Sequence, residues 1–304
     1  MKVLGVTPRG YCKGVVRAIN IAKNNADSEV PVYILGMIVH NQYIVNALKE
    51  IGIHTVEGKG KTRLELLDEI SQGKVIITAH GASQEVFDKA RNKGLEVIDA
   101  SCLDVIKTHE LIKAKLQQGY EVLYIGKNGH PEAEGALSID SQKVHLITSK
   151  ADIDQMAKNQ KYVMTNQTTM SLYDVYELCE YAKTVLPNIE IEKETCTATK
   201  IRQEAIKNID QDVDIIIIVG DPHSNNTQKL SAIAKKTHHC DVYMIESIDE
   251  LQLEWLQGKQ YAAISSGAST PTYLTNQIIA FLTQFDENDP ATYIKPVIEK
   301  DRIL

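Results

Sequence analysis

Short apolar runs alternate with helix-length amphipathic stretches from one end of this chain to the other, and no feature narrows its fold more. Runs at 3–6, 32–35, 75–79, 122–125, 144–147, 162–164, 213–219, 242–245 and 262–264 read as strands. The segment IIIIV at 215–219 is apolar without a break, the pattern of a strand covered on both faces. The stretch 103–118 sets Val105, His109, Ile112 and Leu116 on one helical face, and Gly119 stands where a C-terminal cap belongs. Repeated strand–loop–helix units predict an α/β chain with mostly parallel sheets under helical cover.

Four of the junctions share one design, in which an apolar strand runs into Gly, His or Ser residues and a helix follows. They are IITAHGAS at 76–83, LYIGKNGHPE at 123–132, IVGDPHSNN at 218–226 and AAISSGASTP at 262–271. Free backbone N–H groups and the helix dipole make such junctions natural anion sites. Four of them point to a composite site for a small anion. Neither GxGxxG nor GxxxxGK[ST] occurs, so no nucleotide cofactor is expected.

Charge and hydropathy exclude other classes. With 33 basic and 40 acidic residues the formal net charge is −7, which argues against a binder of nucleic acid driven by phosphate neutralisation. No apolar run approaches the about 20 residues of a membrane helix, and MKVLGVTPRG lacks the pattern of a signal peptide. A cytoplasmic location is therefore expected. The segment 286–304 reads as an ordered arm or a frayed end.

The five cysteines are Cys12, Cys102, Cys179, Cys196 and Cys240, with no CxxC pair among them. Cys12, Cys102 and Cys196 each precede a predicted helix and are separated by 90 and 94 residues. Helix N-termini favour thiolates. Three of them can hold an iron–sulfur cluster with one iron lacking a protein ligand, or part of a zinc site. Three unrelated structural cysteines would show the same spacing. His40, His80 and His130 each follow a strand and read as metal ligands or as structural histidines. His54, His109, His145, His223, His238 and His239 read as structural. Ser224 and Ser269 suit helix capping and phosphate donation alike. Glu132 opens a predicted helix, where a carboxylate commonly faces solvent and complements the dipole.

The motifs occur in one order: PRGYCKGVVRAI at 8–19, VHN at 39–41, AHG at 79–81, DASC at 99–102, GHPEAEG at 129–135, NQTTMS at 166–171, TCTATKIRQEA at 195–205 and SSGASTP at 265–271. As an ordered set they closely resemble the 4-hydroxy-3-methylbut-2-enyl diphosphate reductase family, over roughly residues 1–283. The resemblance implies a trefoil-like α/β arrangement of three pseudo-equivalent units around a central [4Fe–4S] cluster. The units would be 15–100, 101–194, and 1–14 together with 195–283, followed by a tail at 284–304. It implies Cys12, Cys102 and Cys196 as cluster ligands, with the apical iron open to the substrate hydroxyl. Cys179 and Cys240 match no ligand position.

The resemblance further implies that His40, His80, His130, Thr168, Ser224, Asn225, Asn226 and Ser269 bind substrate. Glu132 would supply protons, with Thr168 and His130 beside it. The implied reaction is reductive dehydroxylation of (E)-4-hydroxy-3-methylbut-2-enyl diphosphate, an allylic diphosphate, to isopentenyl and dimethylallyl diphosphate with two electrons and two protons. An external one-electron donor such as ferredoxin or flavodoxin is implied, as is a monomer with no nucleic-acid or membrane partner. Two positions depart from the family pattern: Leu103 stands where proline commonly follows the second cysteine, and Asn225 where serine is usual. Two other classes stay open at this point. One is a redox-neutral iron–sulfur hydro-lyase acting on a related small phosphorylated substrate. The other is a non-catalytic zinc or phosphate-binding protein.

Overall fold

Every strand pairing among the described residues is parallel, in three four-stranded sheets. The structure is a computed structural model that describes residues 1–58, 60–192 and 194–304. In chain order its first elements are β1 (Lys2–Gly5), α1 (Lys13–Lys23), β2 (Val32–Leu35), α2 (Gln42–Glu50), β3 (Ile53–Val56), α3 (Arg63–Asp68), β4 (Lys74–Ile77), α4 (Gln84–Asn92) and β5 (Glu96–Asp99). Next come α5 (Leu103–Gln117), β6 (Glu121–Ile125), α6 (Pro131–Leu137), β7 (Val144–Ile147), α7 (Lys150–Asp154), β8 (Tyr162–Asn166), α8 (Leu172–Val185) and β9 (Ile189–Ile191). The last are α9 (Thr197–Lys207), β10 (Ile215–Val219), α10 (Asn225–Thr237), β11 (Asp241–Ile245), β12 (Tyr261–Ser266) and α11 (Thr272–Gln284).

The sheet orders are β3-β2-β4-β5, β7-β6-β8-β9 and β1-β12-β10-β11. The α/β class and the parallel sheets are as the alternation predicts. Three strands escape the sequence pattern: β3, β5 and β9. All three are sheet edges, and exposed positions interrupt each run. Edge strands lack cover on one flank, so polar residues dilute the apolar signal that marks central strands.

The chain divides into two compact bodies. One comprises Met1–Val16, His40–Leu48 and Thr197–Leu304; the other comprises Arg17–Val39 and Lys49–Cys196. The first body holds the sheet around β10. Ile215, Ile217 and Val219 of β10 pack with Ile278, Phe281 and Leu282 of α11. Ile216 and Ile218 pack on the other side with Ile206 of α9 and Leu230 and Ile233 of α10. The unbroken IIIIV run is thus explained by helices on both faces, each buried isoleucine contributing about 1.5–3 kcal/mol. The C-terminal segment is an ordered arm. Ile303 is buried, its carbonyl accepts from the Tyr11 hydroxyl at 2.6 Å, and the Val297 carbonyl accepts from Gln277 Nε2 at 2.9 Å.

The second body holds the other two sheets. On β6, Leu123 and Ile125 face α8 through Val175, Leu178 and Ala182. Val122 and Tyr124 face the opposite way, toward Ile112 of α5 and Ala133 and Ala136 of α6. On the remaining sheet, Leu35, Val75 and Ile77 pack with Leu66 and Leu67 of α3 and Val86 and Ala90 of α4. Because the strands are parallel, the loops that leave their C-terminal ends share one edge of each sheet. Those loops carry the motif residues.

Candidate active site

Glu132 is the most perturbed carboxyl group in the second body. It follows Pro131 at the start of α6, where proline's missing N–H costs nothing. His130 is the N-cap: its Nδ1 accepts from the Glu132 N–H at 3.2 Å. That bond leaves Nε2 to carry the imidazole proton and act as a donor. Glu132 is only 1% exposed. Its carboxylate accepts from the Thr168 N–H at 2.6 Å, the Thr168 hydroxyl at 3.2 Å and the Tyr124 hydroxyl at 3.4 Å. Burial pushes its pKa up to about 7, and the donors from Thr168 and Tyr124 only partly oppose that rise. The Tyr124 hydroxyl is held well above its ordinary value, by burial first and by Glu132 second.

Thr168 lies in the loop after β8, and that loop is laced to the one before α6. The Gln167 N–H donates to the Ile125 carbonyl at 2.8 Å, and the Lys127 N–H donates to Gln167 Oε1 at 3.0 Å. The Thr168 peptide links two motifs, since its N–H meets Glu132 while its carbonyl accepts from the Cys196 N–H at 3.1 Å. Asn166, fully buried, fixes the approach to Cys196. Its Nδ2 donates to Thr195 Oγ1 at 2.9 Å, and its Oδ1 accepts from the Glu194 N–H at 3.1 Å.

His80 occupies the turn after β4, and its ring meets His130 edge-on with centroids 5.3 Å apart. The turn is closed by the Gly81 N–H donating to the Thr78 carbonyl at 3.0 Å. Gly81 has φ +73°, which favours glycine. The Ala79 carbonyl accepts from the N–H of Cys102 at 2.9 Å, and Cys102 stands at the N-cap position of α5. Asp99 accepts from both the backbone and the hydroxyl of Ser101, and the Ser101 carbonyl accepts from Arg17 at 2.9 Å. His109, half-buried, packs its ring against Gly135 and Gly81, and burial pushes its pKa down.

The first body holds the other motif residues. Cys12 directly precedes α1, and its N–H donates to the Ala268 carbonyl at 3.0 Å. Ser269 donates to the His40 carbonyl at 3.1 Å. Ser224 caps α10, accepting from the Thr227 N–H at 3.4 Å, and Asn225 and Asn226 form the first turn, both buried. Neither amide atom of Asn226 has a partner, nor does Thr227 Oγ1. A Cβ at Gly267 would sit 2.3 Å from Thr227 Oγ1, and one at Gly220 2.8 Å from it. Both glycines therefore let their loops pack directly against Thr227, where a side chain would clash.

The second body thus brings together Glu132, Thr168, His130 and His80, with Cys102 and Cys196 on adjoining loops. The first gathers Cys12, His40 and Ser269, and separately Ser224, Asn225 and Asn226 at one helix start. Cys179 is buried on α8 and Cys240 half-buried beside the β10 core. His223 is exposed. Sequence reasoning gave no role to Tyr124, since a tyrosine within an apolar strand reads as core, and none to Asn166, although Asn166 opens the NQTTMS motif.

A family model described as LytB protein matches residues 3–283. A protein of Lysinibacillus sphaericus (strain C3-41), named 4-hydroxy-3-methylbut-2-enyl diphosphate reductase, is 47% identical over 309 residues, with 100% of this chain and 95% of that one covered. A solved E-1-hydroxy-2-methyl-but-2-enyl-4-diphosphate reductase from Plasmodium falciparum superposes with a TM-score of 0.87 at 28% identity, over 96% of this chain and 90% of that one. A second solved structure, of (E)-4-hydroxy-3-methyl-but-2-enyl diphosphate reductase, the terminal enzyme of the non-mevalonate pathway, gives a TM-score of 0.69 at 32% identity, over 94% of this chain and 100% of that one.

Proposed function

The chain belongs to the LytB family, and from that premise we propose that it reduces (E)-4-hydroxy-3-methylbut-2-enyl diphosphate to isopentenyl diphosphate and dimethylallyl diphosphate. The reaction takes two electrons and two protons, breaks the allylic C–O bond and releases water. The observation that carries this reading is the buried carboxyl of Glu132, raised to a pKa of about 7 beside the Thr168 hydroxyl. Loss of hydroxide as water needs a proton source that is still protonated at neutral pH, and Glu132 is one.

Cys12, Cys102 and Cys196 are the proposed thiolate ligands of a [4Fe–4S] cluster. All three are half-buried and directly precede helices, whose N-terminal ends favour an anionic ligand atom. When bound, the cluster supplies electrons one at a time and a Lewis-acidic iron for the departing hydroxyl. The protein's own part is protonic and positional. Glu132 holds the proton, and Thr168 links it by hydrogen bond to the substrate hydroxyl. His130, with its Nδ1 engaged at the helix cap, offers Nε2–H as a donor. His40, His80, Ser224, Asn225, Asn226 and Ser269 bind the diphosphate. The unpartnered amide of Asn226 supports that role.

The electron donor is an external one-electron carrier such as ferredoxin or flavodoxin, since no nucleotide motif is present. No helix among the described residues is long and apolar enough to cross a membrane. We read the protein as a cytoplasmic monomer built of three pseudo-equivalent α/β units, 15–100, 101–194, and 1–14 with 195–283, followed by a tail at 284–304.

Anaerobic assay of wild type and Glu132→Gln tests the proposal. Turnover should require a strong reductant and fall at least about 100-fold in the variant, the usual weight of a general acid, while iron content and absorbance near about 400 nm stay unchanged. Product formed without net electron uptake would indicate redox-neutral dehydration. Colourless protein with stoichiometric zinc after reconstitution would overturn the cluster.

A further inference from the structure

Arg63, the first residue of α3, lies outside every motif named above, yet its side chain reaches the turn that presents His80. One terminal nitrogen donates to Thr78 Oγ1 at 2.6 Å, and the other donates to the Gly81 carbonyl. Thr78 and Gly81 are the two ends of that turn, and His80 lies between them. The Ala79 carbonyl, in the same turn, accepts from the Cys102 N–H. A single guanidinium therefore brackets a segment that carries one motif histidine and backs one motif cysteine.

The base of this side chain is itself fixed. Thr62 and Glu65 form a capping box at the start of α3: the Thr62 N–H donates to Glu65 Oε2 at 2.7 Å and the Glu65 N–H to Thr62 Oγ1 at 3.2 Å. Lys89 Nζ donates to the Leu64 carbonyl at 2.7 Å and ties α4 to the same turn of helix. Arg63 is partly withdrawn from water, and burial lowers its pKa to about 10, so it stays cationic at neutral pH. A planar fork with fixed N–H directions can hold two acceptors at once, which a lysine ammonium does less rigidly.

We propose that Arg63 is a positioning residue: its fork sets the 78–81 turn and so holds the His80 imidazole in place for the substrate diphosphate. This rests on the role given to His80 under Proposed function. Arg63 acts on the backbone and hydroxyl that flank His80, not on substrate.

The test compares anaerobically prepared holoprotein of wild type, Arg63→Lys, Arg63→Met, His80→Asn and the Arg63→Met/His80→Asn double variant. Hydrogen–deuterium exchange over 77–83 examines the clamp without any turnover. Protection there should fall in Arg63→Met and return only in part in Arg63→Lys, whose single ammonium cannot reproduce the fork. In steady state, Arg63→Met should raise KM about tenfold, the lower end of what loss of a supporting hydrogen bond costs at a functional histidine, with kcat changing less than KM. In the His80→Asn background the same substitution should add less than about twofold, because residues that act through one another are not additive. Wild-type exchange in Arg63→Met, or equal KM effects in both backgrounds, overturns the proposal. If wild type fails to turn over the hydroxylated diphosphate, the functional reading is what fails, and the assignment of Arg63 toward substrate falls with it; the exchange result then decides the clamp alone.

Discussion

Glu132 gives the stability of this fold a pH dependence of definite sign between its ordinary pKa and its raised one. An ordinary glutamate titrates near 4.5, whereas burial raises this one to about 7. Below the lower value the carboxyl is protonated in both folded and unfolded chains, and its ionisation costs the fold nothing. Between the two values the unfolded chain loses the proton first, so stability falls as pH rises; above about 7 the loss levels off. The total is about 3 kcal/mol. Glutamine at 132 cannot ionise and keeps both oxygen and shape. Chemical unfolding at pH 5 and pH 8 should therefore show Glu132→Gln gaining on wild type by about 2–3 kcal/mol over that interval. A gap that does not change with pH would mean that the folded carboxyl titrates normally. The proton that the proposed reaction draws from Glu132 is thus the one whose loss weakens the fold.

At the scale of elements, function depends on what stands between strand and helix. β10 and β12 deliver Gly220 and Gly267 to the same threonine, Thr227 of α10. Gly267→Ala would set a methyl 2.3 Å from Thr227 Oγ1 and push on the first turn of α10, which carries Asn225 and Asn226. Calorimetric titration with inorganic diphosphate should show at least about tenfold weaker binding, with about 1–3 kcal/mol of lost stability from overpacking. Unchanged affinity would remove the first turn of α10 from the proposed site. The central strands β2, β4, β6, β8, β10 and β12 were legible because burial on both faces demands unbroken apolar runs. The edges β3, β5 and β9 were not, since half-exposed strands tolerate polar residues. Site residues were legible in proportion to how local their signal is. Cys102 before its helix and Ser224 at its cap announce themselves by position. Tyr124 and Asn166 earn their places through bonds to partners 8 and 29 residues away, which no spacing rule reveals. That Glu134, two residues on from Glu132, faces elsewhere follows from helical geometry; that Glu132 meets Tyr124 of β6 and Thr168 after β8 follows from packing, not from the sequence of α6.

The whole molecule carries a formal charge of −7, yet its proposed substrate is a diphosphate. Its long-range field therefore opposes the ligand, and affinity must come from short-range contacts. The donors proposed in the first body are mostly uncharged: Ser224, Asn226 and Ser269, together with backbone N–H groups at the start of α10. Such contacts act at hydrogen-bond distance and are little affected by salt, while the repulsive field decays over a Debye length of about 10 Å at 0.1 M salt. The two effects give a sign opposite to that of a lysine-lined phosphate site. Raising NaCl from about 10 to about 150 mM should leave the Kd for inorganic diphosphate within about twofold or lower it, because only the repulsion is screened. A cationic clamp would weaken steeply over the same range. Calorimetry across the salt series in the absence of reductant separates the two, and a Kd that rises tenfold or more would show that exposed cations, not neutral donors and helix ends, hold the anion.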